Sequence, residues 1–158
     1  GVEDAALFRT SDGGQTWQEL AGLRDAQGHK WQPGAGGMCL HTIIQDPSDA
    51  RRLFIAISAA GAFRTDNGGE TWRQLTEVLR EGMMGKTGFA ISPQNPDVVY
   101  ATIELDNRTG GVWRSANRGA SWEKRSDYLS GGTGPHYYQE IFASPHVFDD
   151  VGFPVERR

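Results

Sequence analysis

The chain has 158 residues, enough for one domain with a real core. Its 16 Lys and Arg against 20 Asp and Glu leave a net charge of −4. That balance argues against a nucleic-acid surface, and no apolar run nears the roughly 20 residues that span a bilayer. One cysteine, Cys39, excludes an internal disulfide and a multi-cysteine zinc site, and it reads as a small buried hydrophobe.

Taken in chain order, the first elements are two short strands, Leu7 to Thr10 and Thr16 to Leu20. The turn between them reads Thr10-Ser11-Asp12-Gly13-Gly14-Gln15-Thr16-Trp17. A loop from Ala21 to Cys39 follows, carrying Trp31 and a glycine-rich run from Pro33 to Gly37. It lacks the GxGxxG spacing of a phosphate loop.

Four strands come next: Leu40 to Gln45, Leu53 to Ser58, Ala62 to Thr65 and Thr71 to Leu75. A second copy of the turn, from Thr65 through Asn67, Gly69 and Thr71 to Trp72, joins the last two. The loop from Thr76 to Thr87 is expected to hold a short helical turn at Val78-Leu79-Arg80 and a packing pair, Met83 and Met84. Four more strands follow: Gly88 to Ser92, Val98 to Glu104, Gly111 to Ser115 and Ser121 to Lys124. The third copy of the turn is Ser115, Asn117, Gly119, Ser121 and Trp122. Beyond a Gly-rich loop ending in Pro135-His136-Tyr137-Tyr138, strands are expected at Tyr138 to Ala143 and, more weakly, at Val151 to Val155.

All three turns fit Ser/Thr-x-Asp/Asn-x-Gly-x-Ser/Thr-Trp, and their tryptophans lie 55 and 50 residues apart. Each position has a physical reason. Asp12, Asn67 and Asn117 can fold back on main-chain amides, and the hydroxyls close the turn. Gly14, Gly69 and Gly119 accept positive φ. Each Trp enters the next strand, with its ring expected against the hairpin. A Pro/Asp/Asn turn joins the first two strands of each unit, at 46–49, 92–97 and 144–150. The period suits a four-stranded propeller blade with strands A to D running outward from a central channel. The fold expected is therefore all-β. It is a single propeller segment over 1–158 of about three blade equivalents: strands C–D at 1–20, full blades at 38–76 and 86–126, and strands A–B at 137–158.

The repeated turn resembles the Asp-box, or BNR, repeat of sialidases, xyloglucanase-type glycosidases and sortilin-like VPS10 propellers. Residues near Trp31 to Thr71 look like the sialidase-like branch, and those from Gly88 to Val151 more like the VPS10 branch. The resemblance implies that the Asp-boxes are structural and lie opposite the binding face. It also implies a secreted or periplasmic location, although no signal peptide is visible. A chain that begins at Gly1 suggests a processed product or an excised piece.

Ligand-facing residues are then expected on the D–A and B–C loops. Trp31 reads as a sugar platform or a plug. His41 and Lys86 sit near the channel, as do His136 and Tyr137. Arg108 lies on the second B–C loop, and Glu104 and Asp106 there form a weak candidate carboxylate pair for glycoside hydrolysis. The arginine triad of sialidases is absent, as are HExxH, GxSxG and an EF-hand loop. No cofactor or metal is expected.

Three readings stand. A non-catalytic propeller module for binding or assembly, with a glycan or peptide ligand, leads. A glycoside hydrolase, or a fragment of one, is the alternative. A truncated piece without a ligand of its own is the third. The complementary ends leave two closures open: pairing with a second copy into a six-bladed ring, or completion within a longer chain.

Overall fold

The computed structural model describes residues 1–34, 37–75, 86–105, 109–128 and 140–152. The described residues form antiparallel sheets arranged as blades. The first sheet pairs β1 (Phe8–Arg9) with β2 (Gln18–Glu19). The second runs β3 (Leu40–Asp46), β4 (Asp49–Ile57), β5 (Gly61–Thr65) and β6 (Arg73–Gln74) in simple order. The third repeats that meander with β7 (Thr87–Ile91), β8 (Val99–Leu105), β9 (Thr109–Ser115) and β10 (Glu123–Ser126). The last pairs β11 (Phe142–Ala143) with β12 (Val151–Gly152). The innermost strands touch in succession, β3 against β7 and β7 against β11.

The second strand of each full sheet is buried on both faces, and its period-two alternation sorts side chains into two different seams. On β4, Ile55 and Ile57 point into a cluster with Leu7, Leu23, Leu40, Phe63 and Trp72. Phe54 and Ala56 point the other way, to Phe89, Val99, Ala101, Ile103 and Trp113. On β8, Tyr100 turns with Val98 to a third cluster holding Ala90, Val112 and Ile141. The core is thus a series of seams between sheets. Each fully buried large apolar side chain there contributes about 1.5–3 kcal/mol.

The structure departs from the sequence expectation in three places. The loop after Leu20 contains a short helix, α1 (Gly22–Gln27), followed by one 3-10 turn (Gly28–Lys30). Leu23 is buried in the first seam, so one apolar contact fixes this turn of helix against the sheets. The outermost strands differ from the expectation at their ends: β2 and β6 are shorter than Thr16 to Leu20 and Thr71 to Leu75, and β10 keeps its length but is shifted two residues onward. The Asp-box indole packs between sheets and not solely on its own hairpin. Trp72 is 8% exposed in the first seam, whereas Trp17, with no sheet before it among the described residues, is 61% exposed.

The Asp-boxes close as their residue types dictate. The first hydroxyl accepts the amide of the second glycine: Gly14 to Thr10 at 2.9 Å, Gly69 to Thr65 at 3.0 Å and Gly119 to Ser115 at 2.8 Å. The Asp or Asn Oδ1 accepts the amide four residues on, from Thr16, Thr71 and Ser121 at 2.9, 3.0 and 2.8 Å. Trp17 and Trp72 return their indole N–H to the carbonyls of Gly14 and Gly69. Trp122 Nε1 lacks that bond among the described residues, its ring tilting toward Phe89 at 6.3 Å. Each later box is tied to the A–B turn of its own sheet, by Gly68 N–H to Arg51 O and by Arg118 N–H to Asp97 O, both at 2.8 Å. Arg52 reinforces the first tie, reaching Asp46 at 2.8 Å and Asp66 at 2.7 Å. Boxes and A–B turns therefore share one end of the blades.

Candidate functional site

At the inner edge of the sheets the A strands enclose an open cavity of about 360 Å³. It is lined by His41, Thr42, Ile43 and Ile44 of β3, Gly88 and Phe89 of β7, and Glu140, Ile141 and Phe142 at β11. Its polar groups come from the first residues of these strands, the end away from the Asp-boxes. Phe142 and Ile43 are exposed there, so the wall is an apolar shelf with a few polar groups.

His41 and Thr42 are held by a chain of hydrogen bonds between blades. Thr42 Oγ1 donates to the main-chain oxygen of Thr87 at 2.8 Å, binding β3 to β7. Its oxygen then accepts from His41 Nδ1 at 2.9 Å, which assigns the imidazole proton to Nδ1 and the lone pair to Nε2. Burial, joined by the charge of Lys86, pushes His41 down to about 4, so the ring is neutral at pH 7.

The other expected site residues fall elsewhere or together as follows. Trp31 packs on the first seam with its ring centre 5.7 Å from that of Phe63. Lys86 precedes β7, and its main-chain oxygen accepts from the amide of Glu104, so Lys86 reaches His41 by charge while Glu104 sits one strand outward on β8. Glu104 is half-buried opposite Gly110 and does not line the cavity. Asp106, Arg108, His136 and Tyr137 lie outside the described residues, as do Val78-Leu79-Arg80 and Met83-Met84. The carboxylate that does line the cavity, Glu140, was not singled out from sequence. The signal for it is period two: Glu140 and Phe142 alternate on one face of the expected strand from Tyr138.

A meander of four antiparallel strands, repeated around touching inner strands with an Asp-box at each C–D turn, defines an Asp-box β-propeller. The model described as "Sortilin, neurotensin receptor 3", of the Sortilin-Vps10 type, matches residues 5–139, and the chain belongs to that family. Its curated relatives include a xyloglucanase from a Paenibacillus species, 27% identical over a 116-residue alignment that covers 66% of this chain and 11% of the relative. An oligoxyloglucan-reducing end-specific xyloglucanase of Emericella nidulans is 22% identical over a 142-residue alignment that covers 72% of this chain and 17% of that protein. The chain thus spans well under a fifth of the length of these relatives.

Solved structures share the fold. A GH74 enzyme of Niastella koreensis superposes with a TM-score of 0.55 at 19% identity, covering 87% of this chain and 22% of that one. The NanB sialidase of Streptococcus pneumoniae gives 0.52 at 16% identity, covering 87% and 20%.

Proposed function

We propose that this chain is a segment of a carbohydrate-binding propeller whose inner-strand cavity takes a neutral polysaccharide of the xyloglucan type. The composition of the cavity wall carries this reading. Phe142 offers an exposed ring for stacking on a sugar face, and Glu140 supplies a carboxylate beside it that can accept from sugar hydroxyls. Sialic acid suits the wall poorly. No arginine lines it among the described residues, His41 is neutral at pH 7, and Glu140 repels a sugar carboxylate. The identity of the curated relatives, which are xyloglucanases from bacterial and fungal sources, supports the same substrate class.

Binding is favoured over catalysis because a glycosidase needs two carboxyl groups flanking the bond, and the described wall holds one, Glu140. The enzymatic relatives favour a second reading, in which Glu140 is one member of a hydrolytic pair and the other acid comes from elsewhere in the ring.

Affinity electrophoresis in gels containing xyloglucan tests the first reading. Retardation is expected, together with none on a sialylated glycan. Phe142→Ala should weaken binding about two- to tenfold, since an aromatic contact is worth roughly 0.5–1.5 kcal/mol. Because Phe142 is exposed, its truncation leaves the fold intact. Absence of retardation, or preference for the sialylated ligand, overturns the reading. Release of reducing ends from xyloglucan that disappears in Glu140→Gln would favour the second.

A further inference from the structure

Asn67-Gly68 in the second Asp-box is the one Asn-Gly pair in the 158 residues. Glycine has no side chain to shield its nitrogen, so that nitrogen can reach the preceding side-chain amide and close a five-membered ring. The third box supplies the comparison. Arg118 follows Asn117 there, with φ of 58° against 75° for Gly68. The two turns therefore share a backbone conformation and differ in the side chain beside the nitrogen.

The fold occupies both groups of the pair. The Gly68 amide donates to Arg51 O of the A–B turn at 2.8 Å, which commits its proton to that turn. The Arg51 end is set in turn by Asp49, whose Oδ1 accepts the Arg51 amide at 3.0 Å. The Asn67 amide is held at both of its atoms. Its Oδ1 accepts from the Thr65 hydroxyl at 2.8 Å and the Thr71 amide at 3.0 Å, and its Nδ2 donates to Thr71 Oγ1 at 2.8 Å. The site nevertheless meets solvent. Asn67 and Gly68 are half-buried, Thr71 is exposed, and a Cβ on Gly68 would have no neighbour within 4 Å. Local opening of the turn frees the pair without parting a seam.

The first box shows that an acid fits this position. Asp12 accepts both the hydroxyl and the amide of Thr16, at 2.6 and 2.9 Å. An aspartate at position 67 meets Thr71 in the same way once the hydroxyl turns from acceptor to donor. Arg52 and Arg64, both paired with the adjacent Asp66, offset the added negative charge.

We infer that Asn67 is a deamidation site gated by the Arg51 carbonyl, and that its aspartate product rebuilds the box in the form that Asp12 has. When the tie opens, the Gly68 nitrogen attacks Asn67 Cγ. The new N–Cγ bond displaces Nδ2, which leaves as ammonia with the proton that the Gly68 amide gives up. Water then opens the ring. Addition at Cγ breaks the new bond and yields aspartate. Addition at the main-chain carbonyl of residue 67 breaks its bond to the Gly68 nitrogen and yields isoaspartate, whose lengthened backbone no longer returns Gly68 to Arg51.

Peptide mapping by mass spectrometry of the full chain, held at mildly alkaline pH, reads conversion at Asn67 with Asn117 as the internal reference. In guanidinium-unfolded chain Asn67 should convert faster than Asn117. In the folded chain Asn67 should convert about tenfold or more slowly than when unfolded, since only the opened turn reacts. Through sub-denaturing guanidinium, conversion and hydrogen exchange at the Gly68 amide should rise together. Thr71→Val releases Nδ2 at an exposed position and should speed conversion in the folded chain about two- to tenfold, the worth of one hydrogen bond. Asn67→Asp should fold with the parent's near-ultraviolet spectrum, Trp72 keeping its place in the first seam. Equal rates in folded and unfolded chain, or Gly68 exchange that rises without conversion, overturns the gate. Absence of conversion in the unfolded chain overturns the site. An Asn67→Asp chain that fails to fold overturns the fit of the product.

Discussion

In the first Asp-box the carboxylate of Asp12 accepts from both the hydroxyl and the amide of Thr16, at 2.6 and 2.9 Å. In the other two boxes an amide stands in its place, and the hydroxyl bond reverses: Asn67 Nδ2 donates to Thr71 Oγ1, and Asn117 Nδ2 to Ser121 Oγ. The same turn is therefore built with and without a titrating group. Hydrogen bonds from the Thr16 side chain, the Thr16 amide and the Thr10 side chain hold Asp12 well below the usual carboxylate value of 3.8. A depressed folded value means stability that is present above about pH 4 and lost as the pH falls below it. Asp12→Asn should keep the turn and remove that loss. Protection factors at Gly14 and Thr16, exchange rates corrected for the intrinsic rate at each pH, should fall between neutral pH and about pH 3 in the parent and not in the variant.

His41 gives a separate window. Its value falls from 6.5 to about 4 on folding, so between those limits the unfolded chain binds a proton that the folded chain refuses. Its contribution is complete above 6.5 and is lost as the pH falls toward 4, the sign opposite to that of a histidine paired with an acid. Of the charged groups around it, Lys86 before β7 reinforces the depression, and Glu140 lies across the cavity. The loss is roughly 2 kcal/mol after allowance for partial exposure. Thermal melts of His41→Gln should decline less between pH 6.5 and 4 than those of the parent, the difference being the share of His41.

At the scale of elements, the box glycines separate two costs. Gly13 and Gly119 have φ of 72° and 77°, so alanine pays the left-handed penalty of about 1–2 kcal/mol at both. At Gly13 nothing stands within 4 Å of the new methyl, whereas at Gly119 the Phe54 ring stands at 3.0 Å. Urea denaturation should find Gly119→Ala less stable than Gly13→Ala, by about 1 kcal/mol or more for the added overpacking.

The turns were legible in the sequence because each needs side-chain oxygens and glycines at fixed offsets, and the strands because β-branched and aromatic runs flank them. Helix α1 was not: six residues between Gly22 and Gly28 are too few to show a period, and Leu23 alone anchors them. The edge strands β6 and β10 were misjudged at their ends, since where pairing stops depends on neighbouring strands and not on local propensity.

At the scale of the whole molecule, the blade register could be read from the spacing of Trp17, Trp72 and Trp122, but the site could not. The cavity is assembled from residues 41–44, 88–89 and 140–142, and only the packing of β3, β7 and β11 brings them together. His41 was expected near the inner edge because it stands second on the strand from Leu40, and it lines the cavity. Glu140 was hidden because a single acid within an otherwise unremarkable strand carries no motif. Trp72 and Trp122 were expected against their own hairpins and lie in seams between sheets, since the sequence period does not say which sheet a ring will lean on.

The arginine before each box gives the molecule a polarity. Arg64 reaches forward into the next sheet, and the box carbonyl it meets belongs to the later blade, so this seam has a donor side and an acceptor side that differ in chemistry. Contacts between unlike faces propagate in one direction only. Such a head-to-tail chain ends either in a closed ring, when the rotation per blade divides the circle, or in a helical fibre, when it does not.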